Sequence, residues 1–404
     1  MSWWKGAGRW VACACRLIAR QYNQRANCEQ PFHLRKVLLL EKTSRYDFER
    51  QRYKYASLSE EDLRNLLASR GSNYEGLLDR HNVHSGNTLH VEHSLRTNGV
   101  EVRKVQRQDY CEDDVHWADA VISAGGDGTF LLAASKVCDS KKLVFGINTD
   151  PERSEGHLCL PVQFTHNFPL AIHKLRSGNF RHQLRKRIDV QLTETSSVSP
   201  LDLHMEQLTQ AQTQWTQTSL SAEERPVPAH FQQIPSSALN EVFIGESLSS
   251  RASYYEISID EGPWEKQKSS GINICTGSGS TAWSYNVNKV TKETVEDVLK
   301  LAELDGDPTQ TACLVEKVTE KFCASLIFDP EEVIMQYSVR EPIVNRVYSC
   351  TRPRGFAHRV SVRSRCWDAC LVLDGAISFE FNDGAVATLV LNPNNALRTL
   401  NLRE

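Results

Sequence analysis

A glycine-rich turn in the first third of the chain constrains the fold more than any other sequence feature. Residues 121–130 read Val-Ile-Ser-Ala-Gly-Gly-Asp-Gly-Thr-Phe, and the apolar run 131–134 follows. This pattern predicts a buried strand, a tight turn and the start of a helix. Gly126 and Gly128 carry no Cβ, and a helix N-terminus attracts anions, so the turn suits a phosphate group.

Asp127 is the unusual residue of this turn, because a carboxylate is electrostatically unfavourable beside polyphosphate. Its presence is explained if it acts through Mg²⁺ or accepts the proton of a hydroxyl that is being phosphorylated. The alternative is that Asp127 caps the helix, as short polar side chains often do. The turn alone leaves both interpretations open.

The composition limits the class of protein. The chain has 404 residues, of which 40% are hydrophobic, enough for two domains with sizeable cores. A net charge of −3 argues against a general nucleic-acid binder. Twelve cysteines occur without a Cys-x-x-Cys pair, so we expect no bound metal and no disulfide framework. No apolar run approaches the roughly 20 residues that cross a bilayer.

The N-terminus differs from the rest of the chain. It carries Lys5, Arg9, Arg16 and further arginines, interleaved with apolar residues, and no acidic residue precedes Glu29. This composition is typical of a mitochondrial transit peptide, which we place at residues 1–30, with the mature protein in the matrix. A basic N-terminal tail is the alternative, and the scarcity of serine favours it slightly.

Two regions with different periodicity follow. Short apolar runs alternate with helical patterns over residues 31–185, which predicts a doubly wound α/β domain carrying the glycine turn. Polar and apolar residues then alternate in several segments of 186–395, which predicts antiparallel β-structure with insertions at 194–236 and 289–325. We expect the first insertion to be mobile and the second to be helical. Residues 396–404 are expected to form a C-terminal tail.

Three further motifs lie in the β-rich half. Asn240 and Glu241 precede a strand, where such side chains either hold a ribose or an adenine edge or form a turn. The loop 271–283 offers backbone amides and hydroxyls to phosphates, and Trp283 at its end can stack on a base. Asp374, followed by a glycine, suits a type I′ hairpin turn better than a binding site when considered alone.

Other nucleotide-binding motifs point elsewhere or are missing. Residues 277–282 match the dinucleotide pattern G-x-G-x-x-A, but they lie in the β-rich half rather than at the first turn of a βαβ unit. We therefore discount a dehydrogenase. The Walker Gly-Lys-Ser/Thr ending and the protein-kinase His-Arg-Asp loop are absent from the sequence. If this protein transfers or binds phosphate groups, it belongs neither to the Walker-type proteins nor to the protein kinases.

Taken together, these motifs resemble the NAD kinase family. Gly-Gly-Asp-Gly-Thr at 125–129, Gly-Ile-Asn-Thr at 146–149, Asn240-Glu241 and the loop ending Ser-Thr-Ala-Trp at 280–283 appear in that family's order. Longer blocks at 146–160, 238–258 and 362–370 resemble the mitochondrial branch found in animals. The resemblance extends over roughly residues 33–404 and is far more specific than the glycine turn alone.

The resemblance implies an N-terminal α/β domain, a C-terminal antiparallel β-sandwich and a nucleotide site between them. It also implies transfer of the γ-phosphoryl of ATP, with Mg²⁺, to the 2′-hydroxyl of the adenosine ribose of NAD⁺. Asp127 would be the general base, and the partners would be NAD⁺, ATP and a second copy of the chain in a homodimer. The nucleotide-binding residues would be Gly126, Gly128, Thr129, Asn148, Asn240, Glu241, Thr281, Ala282, Trp283 and Asp374.

Some alternatives stay open. Many family members have an aspartate in place of Ser270, which leaves the nicotinamide contacts uncertain. A lipid kinase of the diacylglycerol or sphingosine type also carries Gly-Gly-Asp-Gly-Thr, but its acceptor site should have an apolar rim. A non-catalytic NAD(P)-binding sensor is a further alternative, against which Asp127 counts. ATP and inorganic polyphosphate both suit the glycine turn, and the sequence does not separate NAD⁺ from NADH.

Overall fold

The computed structural model describes residues 29–52, 57–193, 201–203, 231–234, 236–304 and 306–402. Nearly all of the expected transit peptide and most of the insertion 194–236 therefore lie outside the described residues. Within the described ranges, no helix is long and apolar enough to cross a membrane.

The first domain is built on a seven-stranded sheet in the order β2-β1-β3-β4-β20-β6, with β5 beside β4. Strands β1 to β5 and β20 pair in parallel, and β6 pairs antiparallel with β20. The strands are β1 (Lys36–Glu41), β2 (Glu101–Val105), β3 (Ala120–Ala124), β4 (Leu143–Ile147), β5 (Cys159–Leu160), β6 (Phe180–Arg185) and β20 (Leu397–Leu402).

Helices cover both faces of this sheet, because alternate residues of its strands point to opposite sides. Val37 and Leu39 of β1 join a core with one set of helices, whereas Leu38 and Leu40 join a separate core with the other. The helices are Arg45–Gln51, Glu60–Ser69, Tyr74–Thr97, Glu112–Trp117, Asp127–Ser135, Gln163–His166 and Phe168–Arg176. The expected doubly wound α/β arrangement is confirmed.

The second domain is a sandwich of two antiparallel sheets, with orders β15-β14-β13-β10-β17-β18-β8 and β12-β11-β16-β19-β7-β9. One large apolar core fills the space between them. The strands are β7 (Ile188–Thr193), β8 (Leu201–Asp202), β9 (Phe231–Gln233), β10 (Glu241–Glu246), β11 (Ser253–Ile259), β12 (Glu265–Ser269), β13 (Ile272–Cys275), β14 (Met335–Val339), β15 (Arg354–Ala357), β16 (Arg359–Ser364), β17 (Ala369–Leu373), β18 (Ile377–Glu380) and β19 (Val386–Leu391).

The two insertions differ in structure. The described ends of the segment 194–236 form β8 and β9, each at the edge of one sandwich sheet. The segment 289–325 contains the helices Lys292–Leu301 and Pro308–Ala324, which follow the short helix Trp283–Asn288. These two longer helices share a small apolar core that includes Leu299 and Val315, as the periodicity of this segment indicates.

The end of the chain contradicts the expected C-terminal tail. Residues 397–402 return to the first domain and form β20, which fills the gap between β4 and β6. Leu397 is fully buried in one core of the sheet, and Leu400 and Leu402 are buried in the other. The prediction failed because a six-residue run at a chain end gives no local indication of a distant partner strand.

Replacing Leu397 by alanine tests the role of this strand. The change leaves a cavity in a buried core and should lower the free energy of unfolding by about 2–5 kcal/mol. Asn401→Ala in the same strand is the matched control, since Asn401 is exposed and should change the value by less than about 0.5 kcal/mol. Urea denaturation measures both, and equal effects would contradict the placement of β20.

Candidate active site

The glycine turn lies where β3 ends and the helix Asp127–Ser135 begins. Gly126 occupies the N-cap position, and Asp127 is the first helical residue. The Asp127 carboxylate accepts hydrogen bonds from the backbone N–H groups of His157 (3.1 Å) and Leu158 (2.8 Å). The loop that contains His157 and Leu158 therefore fixes the orientation of the Asp127 carboxylate. Because Gly126 occupies the N-cap position, the interpretation of Asp127 as the helix cap is wrong.

The glycines of the turn serve different purposes. A Cβ at Gly125 would overlap Thr129 Oγ1 and lie 2.9 Å from Lys42 Cβ, so this glycine is required by internal packing. A Cβ at Gly126 would lie 3.5 Å from Ser154 Oγ, and one at Gly128 would meet no atom within 4 Å. Only Gly126 and Gly128 leave open space in which a phosphate can approach the backbone.

A cleft with a volume of about 650 Å³ opens beside this turn, between the two domains. Its first-domain wall carries Asp127 and Thr129, and its second-domain wall carries Asp374. Lys42, Arg107 and Lys136 add positive charge. The remaining lining residues are Glu41, Thr43, Gly126, Gly128, Leu131, Leu132, Ser135, Ser154, Asp202, Leu203, Ser236, Ser237, Leu373, Gly375, Ala376 and Ile377.

Asn148 shapes the loop that reaches Asp127. Its Nδ2 donates to the Ser154 carbonyl at 2.7 Å, and its Oδ1 accepts from Asp150 N and Ser154 Oγ. The side chain is buried, with both polar atoms engaged inside the loop. Any contact of Asn148 with a nucleotide would have to replace one of these hydrogen bonds, so its predicted binding role stays a prediction.

A buried histidine joins two loops behind the glycine turn. His84 Nδ1 lies 2.8 Å from Thr149 Oγ1, and its Nε2 lies 3.0 Å from the Lys42 carbonyl oxygen. Burial, together with the nearby Lys42, lowers the pKa of His84 to about 4, so the ring is neutral at physiological pH. Sequence reasoning missed His84, because a histidine within a long helix carries no recognisable motif.

Asp374 occupies the tight turn between β17 and β18. Positive φ angles at Asp374 (49°) and Gly375 (67°), with a hydrogen bond from Ala376 N to Leu373 O, match the predicted type I′ turn. Its carboxylate accepts backbone N–H groups of Leu239, Asn240 and Glu241 at 2.8–3.0 Å. Burial raises the pKa of Asp374 to about 6, and these three hydrogen bonds act in the opposite direction.

The segment held by Asp374 presents unpaired oxygens. Asn240 Oδ1 and Glu241 Oε2 are shielded from solvent and have no hydrogen-bond partner among the residues that the structure describes. Burial, followed by the neighbouring charge of Asp374, raises the pKa of Glu241 to about 8. Buried acceptors without partners are costly in a folded protein, so these two atoms indicate a site for a donor group of a ligand.

The second glycine loop packs against this segment. Thr276 Oγ1 donates to the Leu239 carbonyl at 2.6 Å, and a Cβ at Gly279 would overlap the Asn240 carbonyl oxygen. Thr281 and Ala282 are half-buried, and the 38%-exposed Trp283 ring lies 5.1 Å from the Phe243 ring between centroids. The loop forms a single 3₁₀ turn inside the β-rich domain, in agreement with the rejection of a dinucleotide fingerprint.

The predicted residues thus form two adjoining groups. Gly126, Asp127, Gly128, Thr129 and Asp374 line the cleft, whereas Asn240, Glu241, Thr281, Ala282 and Trp283 belong to the β10 edge and the second glycine loop. Asp374 connects the groups through its hydrogen bonds to residues 239–241. The described residues contain no group of three or more His, Cys, Asp or Glu side chains arranged to hold a metal ion.

Comparison with known proteins identifies the family. The chain is 56% identical over 377 residues to a rat protein named NAD kinase 2, mitochondrial, covering 92% of this chain and 89% of that protein. The chain belongs to the NAD kinase family. The human protein of the same name is 56% identical over 378 residues, covering 92% of this chain and 85% of that protein. A Xenopus tropicalis relative is 52% identical over 398 residues, covering 92% of each.

More distant comparisons agree on the fold of this NAD kinase. The crystal structure of yeast NADH kinase complexed with NADH matches with a TM-score of 0.50 and 12% identity, covering 91% of this chain and 84% of that chain. No family model matches the chain. Relatives that are 52–56% identical over the aligned residues are named mitochondrial, which confirms the mitochondrial localisation predicted for this kinase.

The two glycines of the turn give the first test of the site. Gly125→Ala should lower the free energy of unfolding by about 1–3 kcal/mol, because its Cβ would overlap Thr129. Gly128→Ala should leave the thermal midpoint unchanged and raise KM for the phosphoryl donor, since its Cβ would occupy open space. Thermal unfolding and steady-state kinetics separate the two, and an unchanged KM in Gly128→Ala would argue against phosphate approach there.

Glu241→Gln tests the raised pKa. The folded-state value of about 8 exceeds the ordinary value of 4.5, so the wild-type carboxyl stabilises the fold at low pH and loses this contribution as pH rises towards 8. A glutamine at this position stays neutral at every pH. The free energy of unfolding of the variant, relative to that of wild type, should therefore increase by on the order of 1–3 kcal/mol from pH 5 to pH 8. Denaturation at both pH values measures the gain. Glu380→Gln, at an exposed position, should show no such trend.

Proposed function

We propose that this protein transfers the γ-phosphoryl of ATP to the 2′-hydroxyl of the adenosine ribose of NAD⁺, producing NADP⁺ in the mitochondrial matrix. The observation that carries the proposal is the position of Asp127. Its carboxylate lies on the cleft wall at a helix N-terminus, between two glycines that leave room for phosphate. Family membership supports the same reaction.

Asp127 is the general base of the proposed reaction. Each carboxylate oxygen accepts one backbone N–H group and retains a lone pair for a substrate hydroxyl. Taking the proton of a ribose hydroxyl as the O–P bond forms typically contributes about 10²–10⁴-fold to the rate. The two amides fix the direction of the carboxylate, so no reorientation is needed when the substrate arrives.

The donor occupies the cleft. Lys42 and Lys136 supply positive charge for a triphosphate, whereas Arg107 pairs with Asp202 at 3.5 Å. Leu131 and Leu132 supply apolar surface for a base. Mg²⁺ bound to the triphosphate would offset charge and align the transfer. Such an ion would be held mainly by the substrate phosphates and by water, which leaves the Asp127 carboxylate available as the base. Inorganic polyphosphate could bind to the same cationic side chains, but it would make no use of the apolar surface of Leu131 and Leu132.

The acceptor occupies the adjoining group. Asn240 Oδ1 and Glu241 Oε2 would accept hydrogen bonds from the adenosine portion of NAD⁺, and Thr281 and Ala282 would contact the dinucleotide. Trp283 offers a partly exposed aromatic face. These polar acceptors do not suit the apolar alcohol of a lipid kinase, which would leave them without partners.

We also propose a homodimer. Leu248 and Trp367 are exposed by 52% and 89%, and their loops are joined by a 2.8 Å hydrogen bond from Ser247 N to the Asp368 carbonyl oxygen. Large exposed apolar side chains on neighbouring loops are typical of an association surface. A second copy of the chain is the partner that the family suggests.

Asp127→Asn tests the proposed reaction. NADP⁺ formation is measured with NAD⁺, Mg²⁺ and either ATP or polyphosphate, on protein beginning near residue 30. The variant should lose about 10²–10⁴-fold in kcat and keep NAD⁺ affinity, because the amide cannot take the proton. Asp139→Asn, at an exposed position outside the cleft, should match wild type.

The outcomes separate the alternatives. Wild-type turnover in Asp127→Asn would refute the assignment of the base. NAD⁺ binding by wild type without product from either donor would favour the sensor. Loss of both binding and product in wild type would direct the search to lipid alcohols.

A further inference from the structure

Arg185 is a half-buried cation to which the proposed mechanism gives no role. It is the last residue of β6 and lies at the junction of the two domains, three residues before β7 begins. Its Nη1 donates to Ser278 Oγ in the second glycine loop at 3.1 Å. Its Nε is shielded from solvent and finds no hydrogen-bond partner in the described part of the chain.

The environment of Arg185 is unfavourable for a positive charge. Burial lowers the pKa of its guanidinium to about 10, and the nearby carboxylates of Asp127 and Asp329 act in the opposite direction. The group stays protonated at neutral pH, yet no carboxylate in the described ranges pairs with it within 4 Å. A buried charge without a direct partner costs several kcal/mol unless something else compensates it.

Arg187 shows what a structural arginine looks like at the same junction. Its Nε and Nη2 donate to the carbonyl oxygen and side-chain oxygen of Asn395, and its Nη1 donates to the Val137 carbonyl at 2.6 Å. All three nitrogens therefore have partners within the protein. Arg185, two residues earlier, keeps an unused donor shielded from solvent, while its Nη1 contacts Ser278 and the Asp127 carboxylate is near enough to act on its charge.

We propose that Arg185 binds the phosphoryl group as it is transferred, and then the 2′-phosphate of the NADP⁺ product. This inference rests on the proposed function. A guanidinium presents parallel N–H donors that match two phosphate oxygens, and its charge offsets the repulsion between the phosphate and Asp127. The ribose O–P bond forms as the bond to the β,γ-bridging oxygen of the donor breaks. The hydroxyl proton passes to Asp127, ADP leaves, and Arg185 neither gains nor loses a proton.

This position distinguishes Arg185 from the cations of the cleft. Lys42, Arg107 and Lys136 line the space assigned to the donor, and Arg185 is not among the lining residues. It contacts instead Ser278, in the loop that leads to Thr281 and Ala282. The proposal therefore places Arg185 on the acceptor side of the reacting phosphorus, where the product phosphate remains after ADP departs.

The test compares Arg185→Gln and Arg185→Lys with Arg181→Gln. Arg181 lies on the same strand, but it is exposed and pairs with Glu331. Four quantities are measured on the full-length protein or the form beginning near residue 30: kcat, the dissociation constants of NAD⁺ and of NADP⁺, and the thermal midpoint. Arg185→Gln should lower kcat at least 100-fold and weaken NADP⁺ binding at least tenfold, while NAD⁺ binding changes less than twofold.

Stability provides the control against a purely structural role. Removing an unpaired buried charge should leave the thermal midpoint unchanged or raise it. Arg185→Lys should recover part of the NADP⁺ affinity through its charge, and Arg181→Gln should resemble wild type in every measurement. A lower midpoint with equal weakening of NAD⁺ and NADP⁺ would show that Arg185 only joins the domains, and would overturn the proposal.

Two other outcomes are also decisive. Unchanged kcat and NADP⁺ affinity in Arg185→Gln, with an active wild type, would refute this inference and leave the proposed function intact. A wild type that forms no NADP⁺ would refute the proposed function itself, and with it the role given to Arg185.

Discussion

The site depends on a single buried carboxylate, that of Asp374. By accepting the N–H groups of residues 239–241, it fixes a short segment that performs two tasks at once. Leu239 inserts into a core of the first domain, with only 1% of its surface exposed. Asn240 and Glu241 hold solvent-shielded oxygens beside the second glycine loop. The hydrogen bonds of Asp374 therefore fix both Leu239 in the first-domain core and the two residues that we assign to the acceptor site.

The acidic residues of the site have different environments, and this difference explains how they coexist near phosphate. Burial raises the pKa of Glu241 to about 8 and that of Asp374 to about 6, so near neutral pH part of their charge is lost. Asp127 is instead half-buried at a helix N-terminus, with two amides donating to it. Burial thus reduces the negative charge of Glu241 and Asp374, whereas two backbone hydrogen bonds hold the Asp127 carboxylate in place.

Structural features that depend on residues close together in the sequence could be predicted. Features that depend on contacts between residues far apart in the sequence could not. The strand, turn and helix around Asp127 follow from a local pattern, and so does the type I′ turn at Asp374. His84 escaped prediction because its partners are 42 and 65 residues away. The orientation of Asp127 on residues 157–158 depends in the same way on a loop about 30 residues distant. The roles of Asn148, Thr281 and Ala282 stay predictions, since the free protein shows only their local contacts.

The incorrect prediction of a C-terminal tail and the failure to predict a role for Arg185 have the same physical cause, the pairing of β20 with β6. Strand β20 pairs with β6 over its whole length, and Leu397 lies opposite Arg185 in that register. Without the returning strand, β6 would be separated from β4 by a gap in the sheet, and the backbone that carries Arg185 would have no neighbour on that side. The last residues of the chain therefore support the arginine that we place on the acceptor side of the phosphoryl group. If this is correct, a destabilising change in β20 should affect NADP⁺ affinity more than NAD⁺ affinity, because the strand acts on the site through Arg185.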